Sequence, residues 1–125
     1  MKDPDGHSAR LLGLWDQIAT RYREQPQCVA FEVCNEPVDI TAPQWNRILE
    51  EAIAVIRRTN PRRLIIIGGI EWSSIDGMRQ LALPAGDRSL IATFHYYSPV
   101  QFTHQDAYWI KGSEAWAGTA WRCTA

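Results

Sequence analysis

Cys28-Val29-Ala30-Phe31-Glu32-Val33-Cys34-Asn35-Glu36-Pro37 is the stretch on which the reading of this chain turns. Apolar and β-branched residues dominate it from Cys28 to Cys34, Pro26 precedes it, and Pro37 forbids further ladder pairing. It reads as a buried strand that runs straight into Asn35 and Glu36. Folds built on buried parallel strands keep their chemistry at the carboxyl ends of those strands. Glu36 is therefore the first candidate for a working carboxylate. The competing reading is a turn acid that only solvates the strand end.

Upstream, Asp3-Pro4-Asp5-Gly6 signals a turn, and Ser8 is a plausible N-cap for a helix running to about Glu24. Leu11, Trp15, Ile18 and Tyr22 recur at helical spacing on its apolar face. Downstream, Thr41-Ala42-Pro43-Gln44 fits a capping box with proline in the first turn. Trp45, Ile48, Leu49, Ala52, Val55 and Ile56 then share one face, and Asn60-Pro61 ends the helix. Leu64 to Ile67 is a second buried strand, leading through Gly68-Gly69 to Ile70-Glu71-Trp72. A short helix is expected from Ile75 to Leu81. Leu90 to Phe94 is a third strand, delivering His95-Tyr96-Tyr97 before Ser98-Pro99. Val100 to Ala125 shows no periodicity but holds Trp109, Trp116 and Trp121.

Helix, strand, helix, strand, helix, strand, with strands apolar throughout, implies a parallel sheet joined by right-handed crossovers. No glycine-rich phosphate loop joins a strand to a helix, which disfavours a dinucleotide-binding sheet. A (β/α)₈ barrel fits the pattern but needs about 250 residues. The 125 residues read as a central slice of such a barrel, one partial domain open at both ends.

Composition narrows the class. With 46% hydrophobic and 22% charged residues the chain is globular, and its net charge of −1 carries no nucleic-acid footprint. Arg57-Arg58 and Arg62-Arg63 lie near a helix end, where cations complement the macrodipole. No run matches a membrane span, and the first residues do not form a signal peptide. Cys28, Cys34 and Cys123 suggest neither a disulfide nor a zinc site. Cys28 and Cys34 are read as small buried hydrophobes.

All three strands exit into polar or aromatic residues, and in a barrel those exits gather on one rim. Trp15 and Trp45 lie on helix faces and read as core. Trp72, Trp109, Trp116 and Trp121 lie in loops. Carboxylates among exposed indoles suit a carbohydrate, whose rings stack while its hydroxyls need polar partners. Each loop tryptophan can equally pack its loop against the barrel.

Phe31-Glu32-Val33-Cys34-Asn35-Glu36-Pro37 resembles the strand-four signature of glycoside hydrolase family 5, the cellulase family. His95-Tyr96-Tyr97 resembles its strand-six His-x-Tyr signature, with one βα unit between. The resemblance covers the middle of the family's barrel, strands four to six. It implies a retaining β-glycosidase with Glu36 as acid/base, Asn35 bonding the sugar 2-hydroxyl, and His95 and Tyr97 lining the cleaved subsite. Trp72 is a candidate sugar platform from its strand-end position alone.

Retaining enzymes pair two carboxylates about 5–5.5 Å apart. The family's nucleophile is a glutamate on strand seven, which this chain does not reach, so Glu71 is read as a rim residue. Glu32 shares the parity of Glu36 and is read as a buried structural carboxylate, and His104 as a solvent-facing loop histidine. The expected partner is a β-linked polysaccharide, most often β-1,4-glucan in this family. No cofactor, metal, nucleic acid or membrane is expected, and the parent protein is expected to be secreted or periplasmic. The alternatives are an inactive truncated product or carbohydrate-binding remnant and, more distantly, a metal-dependent hydrolase barrel with Glu36, Glu71 and His95 as ligands.

Overall fold

The structure is a computed structural model that describes residues 3–121; Cys123 lies outside the described residues. Two compact units divide it, Met1–His95 and Tyr96–Ala125.

In the first unit helix α1 spans Pro4–Arg21. It begins a turn earlier than Ser8 suggested, because Asp3 caps it: Oδ1 accepts from the Gly6 amide at 2.9 Å and Pro4 occupies the first turn. A proline there lacks only a donor that would have been unpaired anyway. Ser8 instead sits buried within the helix. Strand β1 pairs only over Phe31–Glu32, α2 spans Ala42–Arg57, β2 Ile65–Gly68 and β3 Leu90–Thr93. The Thr41–Gln44 capping box is present, with the Thr41 amide donating to Gln44 Oε1 at 3.3 Å. The third helix shrinks to the single turn Ile75–Met78.

The strands form one parallel sheet in the order β1-β2-β3, with Phe31 opposite Ile65 and Ile65 opposite Leu90. Helices α1 and α2 cover one face. Trp15 and Ala19 from α1 and Trp45, Ile48, Leu49, Ala52, Ile53 and Ile56 from α2 pack against Phe31, Val33, Ile65 and Ile67. Both indoles also tie helix to strand, Trp15 Nε1 donating to the Val33 carbonyl at 3.1 Å and Trp45 Nε1 to that of Gly68 at 2.9 Å. Glu32 points to the sheet face opposite this core, as its parity predicts, and is exposed there rather than buried. Cys28 is exposed as well, because residues 27–28 form a turn before the strand begins.

Arg63 departs furthest from expectation. It does not lie on the surface beside a helix end; only 1% of it is exposed. Its guanidinium donates to the carbonyls of Tyr22, Gln25, Pro26 and Val29 and to Asn60 Oδ1, and lies 5.2 Å from the Phe31 ring centroid. Asn60 in turn donates to the Ala19 carbonyl at 2.8 Å. Together they staple the end of α1 and the loop that follows it to the start of β2. Arg57 meanwhile forks onto Asp87 at 2.6 and 3.1 Å and reaches the Ser89 carbonyl at the start of β3.

The second unit has only short elements, the single helical turn Val100–Thr103 and a 3₁₀ turn at Ser113–Trp116. Edge-on aromatic contacts hold it: Tyr97 with His104 at 5.1 Å, Tyr108 with Trp109 at 4.8 Å and Phe102 with Trp121 at 5.4 Å between centroids. His104 is half-buried in this set and does not face solvent alone.

Two outcomes are expected for stability. Replacing Arg63 with Met removes one donor from each of four backbone carbonyls, two of which, Tyr22 and Pro26, keep a backbone amide, and chemical denaturation should register a loss of about 3 kcal/mol or more. The Arg57 guanidinium holds the Asp87 carboxyl below its usual range. A depressed native pKa stabilises the fold above the unfolded value, about 3.9, and that contribution disappears as pH falls through the native value. Thermal melts of Asp87→Asn should therefore lie below those of the unsubstituted protein at neutral pH and converge with them as pH falls through the lowered native value.

Candidate active site

Each strand of the sheet ends on a backbone feature that turns side chains toward one rim. After β1, Pro37 stops the ladder and leaves Asn35 exposed and Glu36 half-buried. After β2, Gly68 and Gly69 lead into a turn, Ile70–Ser73, in which Glu71, Trp72 and Ser73 have φ of 55°, 56° and 55°. Left-handed backbone costs an L-residue about 1–2 kcal/mol, and no glycine or asparagine eases it here. The turn also needs close backbone approach. A Cβ on Gly69 would lie 2.2 Å from the Gly77 carbonyl carbon, and one on Gly77 2.1 Å from the Ile70 oxygen. Ser74 Oγ then caps the next helical turn by accepting from the Gly77 amide at 2.9 Å.

After β3, His95 meets Glu36. Its Nδ1 stands 2.6 Å from Glu36 Oε1, and the two side chains are 22% and 25% exposed. An imidazole nitrogen this close to a carboxyl oxygen shares a proton with it, donating to the carboxylate or accepting from the carboxylic acid. The pair can thus follow a change in the charge of Glu36 without moving heavy atoms. This is what proton transfer at a rim carboxylate requires.

The remaining candidates distribute as follows. Asn35 stands next to Glu36, and its carbonyl accepts from Ser73 Oγ at 2.8 Å. Trp72 is 61% exposed on the left-handed turn, an indole face open to solvent. Glu71 is exposed beside it. Tyr97 belongs to the second unit, packed edge-on against His104. Strand alternation predicts Tyr96 against the helices, yet it is 62% exposed, because pairing stops at Thr93 and alternation stops with it. Trp109 makes a further edge contact with His104 at 6.3 Å and is 65% exposed. Burial pushes the Cys34 thiol up, which makes it a poor nucleophile. Among the described residues no three His, Cys, Asp or Glu side chains gather into a group able to hold a metal ion. Sequence reasoning missed Ser73, whose neighbours carry no glycine or asparagine to mark a left-handed turn.

A parallel sheet with α-helices on one face and a carboxylate–imidazole pair at the carboxyl ends of its strands fits a segment of a (β/α)₈-barrel enzyme, whose chemistry sits at that rim. The sequence profile of cellulase, glycosyl hydrolase family 5, matches residues 3–124, and the chain belongs to that family. Endoglucanase H of Acetivibrio thermocellus is 39% identical over 83% of this chain, and Endoglucanase C of the same organism 33% identical over 94%. Thermotoga maritima Cel5A, solved in complex with mannotriose, superimposes over 99% of the chain with a TM-score of 0.92 and 44% identity. The same protein with cellobiose gives 0.92 and 45%. The chain spans 12% of Endoglucanase H, 34% of Endoglucanase C and 41% of Cel5A.

Glu71 has the charge of a nucleophile, but it is exposed on the turn after β2. In the full-length coding context, Glu71→Gln should keep glucan turnover within about threefold, whereas loss of a true nucleophile costs several orders of magnitude. Steady-state kinetics on a soluble β-glucan checks this.

Proposed function

We propose that this chain supplies the acid/base segment of a retaining β-glycoside hydrolase acting on β-linked glucan. It would be one part of a single catalytic domain. The observation that carries the proposal is the contact between Glu36 Oε1 and His95 Nδ1 at 2.6 Å on the strand-end rim. Family membership, the relatives named endoglucanases and the neighbours bound to cellobiose and mannotriose support the substrate class.

The chemistry runs in two steps. Glu36, protonated at rest, gives its proton to the glycosidic oxygen as the bond to C1 breaks. A carboxylate supplied by another strand of the barrel bonds to C1 from the opposite face. Glu36, now a carboxylate, then takes a proton from water as that water attacks C1 and displaces the bonded carboxylate, and the sugar leaves with its configuration retained. His95 holds Oε1 throughout and balances the alternating charge. Asn35, next to the acid in sequence, would bond the 2-hydroxyl, and the exposed Trp72 would offer a stacking face; Tyr97 is assigned to the cleaved subsite by the family resemblance alone.

In the full-length coding context, Glu36→Ala should lower kcat/KM on β-glucan by about 10²–10⁴-fold, the usual worth of a general acid. An aryl glycoside whose leaving group departs unprotonated should keep its first-step rate, and added azide should restore turnover through a β-glycosyl azide. An unchanged glucan rate would remove Glu36 from the mechanism.

A further inference from the structure

Strands β1 and β3 are not neighbours, because β2 lies between them. Glu36 and His95 therefore meet across a strand that belongs to neither. Ladder pairing reaches only Glu32 on β1 and Thr93 on β3, so it stops short of both residues. Past that point the bonds come from the left-handed turn after β2. The Trp72 amide donates to the Pro37 carbonyl at 3.3 Å, and the Ser73 carbonyl accepts from the His95 amide at 2.8 Å. Ser73 Oγ donates to the Asn35 carbonyl, also at 2.8 Å.

Ser73 thus grips both sides of the pair, His95 itself and the residue before Glu36. It is 0% exposed, so water cannot stand in for its hydroxyl. Gly68 fits it closely, since a Cβ there would lie 2.1 Å from Ser73 Oγ. Glycine would adopt a φ of 55° at position 73 without strain. What serine adds is the hydroxyl.

We propose that Ser73 is a positioning residue: its hydroxyl and carbonyl together set the separation of Glu36 from His95, and thereby the aim of the acid/base. The catalytic half of this statement rests on the acid/base reading of Glu36; the geometric half does not.

Two variants separate the hydroxyl from the backbone it strains. Ser73→Ala removes the donor and keeps the strain. Ser73→Gly removes the donor and relieves the strain, so it should melt no lower than Ser73→Ala and remains folded for assay. In the full-length coding context, the ¹⁵N resonance of His95 Nδ1 should move in both variants toward its position in Glu36→Gln. On β-glucan, kcat should fall about tenfold or more with KM within about twofold, the mark of misplaced reacting groups. For an aryl glycoside with a good leaving group kcat/KM, which reports the first step alone, should fall less than about twofold, since that step needs no proton. Ser73→Cys, which keeps a weaker donor, should recover part of the loss.

An unmoved Nδ1 resonance in both variants would overturn the geometric half. Equal losses on glucan and aryl glycoside, or an unaltered glucan kcat in Ser73→Gly, would overturn the catalytic half. Should the unsubstituted protein fail to cleave β-glucan, the glycosidase reading falls, while the Nδ1 resonance still decides whether Ser73 sets the pair.

Discussion

A carboxylate and an imidazole, 59 residues apart in sequence, stand at 2.6 Å on strands that never pair with each other. Adjacent strands are about 4.8 Å apart, so the backbones of β1 and β3 lie about 10 Å from one another. Neither the ladder nor the hydrophobic core can hold two side-chain atoms in contact over that gap. The exit of β2 has to leave room for both side chains and yet remain close enough to bind both neighbouring exits. Gly68 lets Ser73 close on the end of β2 and Gly69 lets Gly77 approach it, so the turn can fold back beside both exits. The left-handed turn provides the bonds, aiming its amide and carbonyl groups sideways at Pro37 and His95. Strain at this rim is held in place by those bonds and by the buried fit of Gly68 against Ser73.

Much of this was legible in the residues alone. The spacing of Trp45, Ile48, Leu49, Ala52 and Ile56 places α2 and its buried face, and all five are at most 1% exposed. Apolar runs ended by Asn35-Glu36-Pro37 and by His95 locate the ends of β1 and β3, since the change from apolar to polar is a direct record of leaving the core. The start of α1 was misread, because Ser8 and Asp3 are both good caps and a proline after Asp3 is as compatible with a turn as with a helix. Arg63 was misread for a different reason. Nothing local distinguishes it from Arg62; its burial follows from carbonyls more than thirty residues earlier, which only the fold brings to it.

Least legible was the turn Glu71–Ser73. Left-handed backbone is usually announced by glycine or asparagine. Here tertiary bonds impose it on residues that would not choose it, so composition and periodicity give no sign. The second unit was silent for the opposite reason. Its elements are single turns, too short to express a period, and side-chain contacts such as Tyr97 with His104 order it more than repeating backbone does.

The charged groups also divide between the two ends of the sheet. Arg63 stands immediately before β2, and Arg57 reaches Asp87 and Ser89 immediately before β3. These networks bind the amino ends of the strands to the helices and loops around them. Glu36 and His95 stand at the carboxyl ends, roughly 13 Å away along a four-residue strand rising about 3.3 Å per residue. Between the two ends lie the strands and the core packed on them, and the cations are already matched at their own end by backbone carbonyls and by Asp87. The fold therefore keeps these guanidinium groups at one end of the sheet and the carboxylate–imidazole pair at the other. A guanidinium within hydrogen-bond reach of Glu36 would favour its ionised form and take away the proton that an acid has to give. An imidazole in that place can donate to a carboxylate or accept from a carboxylic acid, which is the condition the proposed acid/base role of Glu36 sets for the rim.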